Sequence, residues 1–238
     1  MQKAYQDFTE LVLHAAKGRD YRLNIVDRKA DVTITAVHGG SIEPLTSELA
    51  AAIAGEEYNL YELRGLRTRG CELLRVPIQR FNEAQLHALM QRSNIALSIQ
   101  GTEGGEAAVH LGGRNRWLKR VLGARLQEAG FQVRPPAGPG AAHDPLRFYN
   151  LAVEGGVQIE LTSAMRESLI DCALRDFLWE DQQCWNDRFC AFVIAVRGAI
   201  EQYKAETRSD LDIALKRFEQ TTRFFKLSHD DQCECHKN

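Results

Sequence analysis

Between Tyr21 and Thr162, short β-branched or apolar runs alternate with segments of helical periodicity. This alternation limits the fold more than any other feature of the chain. "YRLNIVDR" and "DVTITAVHGG" read as strands separated by a charged turn at Lys29 to Asp31. Further strand signals are "YNLYELRGL", "IALSIQG", "AAVHLGG", "FQVR" and "GGVQIELT", and "CELLRVPIQRF" is expected to hold a short strand limited by Pro77. Helical periodicity covers Tyr5 to Ala16, Glu43 to Ala54, Asn82 to Ser93 with Asn82 as its cap, and Arg116 to Ala129. Alternating strands and helices predict an α/β fold with a mixed, largely parallel open sheet flanked by helices. From Ser163 the pattern becomes helical, over Met165 to Ala205 and Asp210 to Leu227. The expected division is therefore an α/β domain over 1–168, then a C-terminal helical extension and polar tail over 169–238.

Bulk properties exclude several classes of function. The 238 residues carry a formal net charge of -2, which gives no bulk attraction to nucleic acid or to an anionic membrane. The longest apolar run, "CAFVIAV" at Cys190 to Val196, is core-sized and too short to span a bilayer. The N-terminus reads as an amphipathic helix rather than a signal peptide, so a cytoplasmic protein with its six cysteines reduced is expected.

In open α/β sheets, ligands sit beyond the C-terminal ends of the strands. Three polar stations fall there: His38 with Glu43, Gln100, and Glu160. An imidazole and a carboxylate on one strand-end loop suit zinc, and a further carboxylate suits a general base. The ordinary structural alternative stands beside this reading. It is a turn histidine, plus a glutamate near the first turn of a helix, where the helix dipole favours negative charge.

The same residues carry a resemblance. "HGGSIEPLT", "LLRVPIQRFNE", "ALSIQGTEG", "VHLGGRN", "FYN" at Phe148 to Asn150 and "GVQIELTSAMR" follow in the order of motifs in the poly-γ-glutamate hydrolase family, known from phages and bacilli. The resemblance covers about Gly18 to Ser168. It implies a zinc peptidase of zinc-carboxypeptidase-like architecture that hydrolyses γ-glutamyl amide bonds in a small or polymeric acidic substrate. Carried over residue by residue, His38 and Glu43 would be zinc ligands and Glu160 the general base. Arg166 would hold a substrate carboxylate, for which a guanidinium fork is suited, and Asn150 would contact substrate.

Two departures bear on chemistry. The family's third zinc ligand is a histidine, and Gln100 stands in its place with a neutral amide oxygen, a poorer donor. A second family histidine is replaced by Arg75, which is either a solvated or substrate-facing cation, or neutralises Glu43 or Glu160 in a site without metal. Three readings of Gln100 stay open: a weak ligand beside a water, an introduced substitution, or a pseudoenzyme that binds a ligand or protein partner through the old cleft. Zinc, weak or absent, is the cofactor in question.

Other candidates read more simply as structure. His110 and His87 read as packed histidines and His143 as a loop histidine, while Cys172, Cys184 and Cys190 read as small core residues. The tail with Cys233, Cys235 and His236 fits no familiar zinc-finger spacing. The C-terminal helices carry apolar faces, with Phe177, Leu178, Trp185, Phe189, Phe192 and Val196 on the first. These either pack on the domain or form a homo-oligomer or partner-protein interface.

Overall fold

The computed structural model describes residues 5–136, 147–171 and 184–233, with side chains given through Leu211. Seven strands form one mixed sheet: β1 (Tyr21–Val26), β2 (Val32–Gly40), β3 (Asn59–Gly65), β4 (Ile95–Thr102), β5 (Val109–Gly112), β6 (Val133–Arg134) and β7 (Gly156–Thr162). Their spatial order is β1-β3-β2-β4-β7-β5-β6. The central β3-β2-β4-β7 block is parallel, whereas β1 on β3 and β5 on β7 are antiparallel.

Burial on both faces explains why the central strands read as nearly continuous apolar runs. In β2, every residue from Val32 to Gly39 is buried. Helices α1 (Phe8–His14), α2 (Thr46–Ala54), α3 (Ala84–Arg92), α4 (Arg116–Glu128) and α5 (Ser163–Glu167) complete the α/β part. One core cluster joins Phe8 and Leu11 of α1 to Tyr61 and Leu63 of β3, Phe81, Leu86, and Phe148 with Tyr149.

Two details of the sheet shape the site. After β2 the chain pairs β3 on one side, then returns to place β4 on the other, which makes a topological switch point at the β2/β4 crevice. The β2–β4 ladder stops at Thr35↔Ser98, so the strand ends separate beyond it. Between Ala36↔Glu62 and Gly39↔Arg64, β2 also carries one extra residue against β3, a bulge at Val37-His38. Bulges re-aim side chains, and this one sits at His38.

Several expectations need correction. The segment expected to contain a strand near Pro77 instead forms two 3-10 turns, Cys71–Leu74 and Ile78–Arg80. Pro77 has no N–H for a sheet ladder and leads directly into the second turn. Asn82 does not cap α3; Glu83 does, accepting from Gln85 and Leu86 N–H, while Asn82 accepts from Phe8 and Thr9 N–H. The helix expected over Met165 to Ala205 is broken: α5 ends at Glu167 and Ile170 bridges Trp185, while the part from Asp187 runs on into the second expected helix as α6 (Asp187–Cys233). Cys190 is exposed rather than core, because it faces away from the Phe189 and Phe192 side of that helix.

Contacts divide the chain into two compact units, Met1–Ala199 and Ile200–Asn238. Within the first, the start of α6 packs on the α/β layers. Phe192 meets Phe131 edge-on at 5.4 Å, and Arg197 donates to Ile53 O at 2.7 Å. In the second, Gln202 donates to Glu206 at 2.9 Å along the helix. Among the described residues, no helix is long and apolar enough to cross a membrane. His143, Cys172, Phe177, Leu178, Cys235 and His236 lie outside the described residues, as does the side chain of Cys233.

Candidate functional site

The switch-point crevice opens into a cleft of about 370 Å³, lined among others by His38, Arg75, Gln100, Arg147, Gln158 and Glu160. Strand periodicity builds its floor. Ser98 pairs with Gln158 and Gln100 with Glu160 across the β4–β7 ladder, so all four side chains share one face. The two glycines after His38 are backbone requirements. A Cβ on Gly39 would lie 1.6 Å from Ser47 Oγ of α2, and Gly40 has φ +62° with Gly65 O 2.5 Å from where its Cβ would be.

His38 is fully engaged. Its Nε2 lies 2.8 Å from Val76 O and its Nδ1 3.1 Å from Glu43 Oε1. Val76 O only accepts, so Nε2 carries the proton that reaches it, while Nδ1 faces the Glu43 carboxylate. Glu43 is equally occupied. Gly101 N–H donates to Oε2 at 2.6 Å, and Arg75 Nη2 donates to Oε1 at 2.5 Å and also to Gly101 O at 3.1 Å. Burial alone would raise the Glu43 pKa. His38, Arg75 and the Gly101 amide outweigh that and hold the carboxyl below its ordinary value.

Gln100 is also committed. Its Nε2 donates to Ser98 Oγ at 2.8 Å and its Oε1 accepts from Gln158 Nε2 at 2.9 Å. Gln158 Oε1 in turn accepts from Tyr149 OH at 3.0 Å and Arg147 Nη1 at 3.1 Å. Glu160 shares the cleft, and its pKa is raised. Burial is the main cause and Glu43 adds to it, against the opposing pull of His110, Arg75 and Arg147.

Of the residues singled out in the sequence, the structure brings His38, Arg75, Gln100 and Glu160 to the cleft wall, with Glu43 buried behind His38. Arg166 and Asn150 are not among the residues lining the cleft. Arg166 is buried, with Nη1 on Pro44 O at 3.0 Å, and Asn150 accepts from Arg114 N–H at 3.1 Å. Of the two alternatives raised for Arg75, it takes contact with Glu43. His110 hydrogen-bonds Pro135 O and His87 hydrogen-bonds Phe81 O, as structural histidines do. Arg147, Tyr149 and Gln158 were missed. The signal for Gln158 was its position two residues before Glu160, on the same strand face.

The zinc that the resemblance implies does not fit this donor set. Among the described residues no three His, Cys, Asp or Glu groups converge as metal ligands. The third position is a hydrogen-bonded amide, and a guanidinium already sits on the expected carboxylate ligand.

The fold and cleft together define an α/β protein with its site at a sheet switch point. Residues 5–195 match the family model described as poly-gamma-glutamate hydrolase, and the chain belongs to that family. It is 29% identical over 171 residues to UPF0714 protein YndL of Bacillus subtilis, covering 71% of this chain and 67% of YndL. It is 32% identical over 129 residues to the SPbeta prophage-derived UPF0714 protein YoqZ of the same organism, covering 54% of this chain and 46% of that one. The chain thus spans under half of YoqZ. Among solved structures it is similar to a bacteriophage poly-gamma-glutamate hydrolase, with TM-score 0.79 and 22% identity over 85% of this chain and 99% of that one. It is also similar to a zinc-free apo YndL, with TM-score 0.75 and 26% identity over 84% and 98% of the two chains.

Proposed function

We propose that the cleft binds an acidic, γ-glutamyl-type amide ligand and does so without a catalytic zinc ion. The observation that carries this reading is the commitment of Gln100 at both ends of its amide, to Ser98 and to Gln158. Family membership supports the ligand class, and Arg75 and Arg147 on the cleft wall supply cationic donors for carboxylates. The test is a calorimetric titration with poly-γ-glutamate, with and without EDTA, beside an assay for new amine ends. Binding that survives EDTA without new amine ends is expected. Absence of binding, or hydrolysis that EDTA abolishes, contradicts it.

The second reading is zinc-dependent hydrolysis of γ-glutamyl amide bonds, with His38 and Glu43 as ligands and Glu160 as base. It is favoured by the position of Glu160 in the same cleft as His38, with a carboxyl whose raised pKa suits proton transfer. EDTA-sensitive release of amine ends selects it.

A further inference from the structure

The geometry points to Arg75 as the built-in replacement for the metal: its guanidinium neutralises Glu43, repels a divalent ion, and meets the ligand where a metal would. This rests on the metal-independent reading above. The oxygen that Arg75 Nη2 contacts, Glu43 Oε1, is also the one facing His38 Nδ1. The cation therefore shares with His38 a single oxygen of Glu43, one of the two groups expected to hold zinc. Its anchoring is one-sided. The same Nη2 makes both the Glu43 and the Gly101 contacts, and the side chain is 51% exposed along the cleft wall. Among the described residues its hydrogen bonds both use Nη2, so Nη1 and Nε remain N–H donors for a carboxylate or carbonyl oxygen.

Electrostatics makes the exchange self-consistent. A buried carboxylate needs a cation or donors around it, and Glu43 is satisfied by Arg75, His38 and the Gly101 amide together. A zinc ion entering beside the guanidinium would face a like charge a few ångströms away. Restoring histidine at position 100 alone supplies a ligand but leaves that repulsion in place.

The experiment compares zinc affinity, by competition with a chromophoric chelator, for Gln100→His, Gln100→His/Arg75→Met and Gln100→His/Arg75→Lys. Urea unfolding confirms that each is folded. The Met double variant should bind zinc at least ~30-fold more tightly than Gln100→His alone, the factor that a like charge at about 4 Å in water imposes on a divalent ion. The Lys double variant should stay near Gln100→His, because the charge remains. Gln100→His binding zinc as tightly as the Met double variant would overturn the inference, as would a Lys variant equal to the Met one. These zinc titrations involve no acidic polymer. Failure of the ligand reading shows instead in the poly-γ-glutamate titration of the unaltered chain.

Discussion

Glu160 is the carboxylate whose charge the folded state opposes most plainly within the cleft. Burial and Glu43 raise its pKa, so the folded chain holds its proton more tightly than the unfolded one. A raised acid costs stability above the unfolded value and costs none below it. Glu160→Gln is therefore expected to stabilise the protein, by about 0.5 kcal/mol after discounting for partial exposure. The gain should be present near neutral pH and vanish as pH falls below the ordinary glutamate value of 4.5, measured by urea unfolding across that range. At Gly39 the sign is opposite. A Cβ there collides with Ser47 Oγ, so Gly39→Ala should cost about 1–3 kcal/mol in the same assay. His38, Glu43, Gln100 and Glu160 could be placed from the sequence because strand ends and glycine turns mark them. Arg147 could not, because it follows a Pro/Gly loop with no period, although it lines the cleft and donates to Gln158 and Tyr149 there.

At the scale of elements, every central strand could be read from its run of apolar or β-branched residues, and the mixed sheet followed. What local pattern could not supply was pairing. β1 and β2 are consecutive, yet β3 lies between them, and the β2 bulge that aims His38 is an irregularity of pairing. The choice of cap on α3 was also tertiary. Asn82 was drawn away to the backbone of α1, which left Glu83 to cap. Glu83→Ala should cost about 1 kcal/mol in chemical denaturation, whereas Asn82→Ala should loosen α1 and leave α3 capped, read by amide hydrogen exchange of the two helices. The strand expected near Pro77 failed because one proline and two short turns override apolar composition. That failure matters to the site: the turns deliver Arg75, and Val76 O to His38 Nε2.

At the scale of the molecule, the start of α6 belongs to the α/β body. Phe192 is fully buried against Phe131, and Arg197 ties the same helix to α2 through Ile53 O. Phe192→Ala is expected to cost about 3–5 kcal/mol and to lower the midpoint of a single cooperative transition, followed by tryptophan fluorescence and far-UV dichroism together. The family and fold are thus shown for the body, while the donor set of the cleft departs from the one that the family resemblance implies. An arginine and a glutamine stand at the positions where the family resemblance expects histidines. Zinc content of the purified protein, after loading with excess zinc and desalting, tests this account most directly. Well under one zinc per chain is predicted, rising toward one only when Arg75 and Gln100 are both replaced. Near-stoichiometric zinc in the unaltered chain would contradict it.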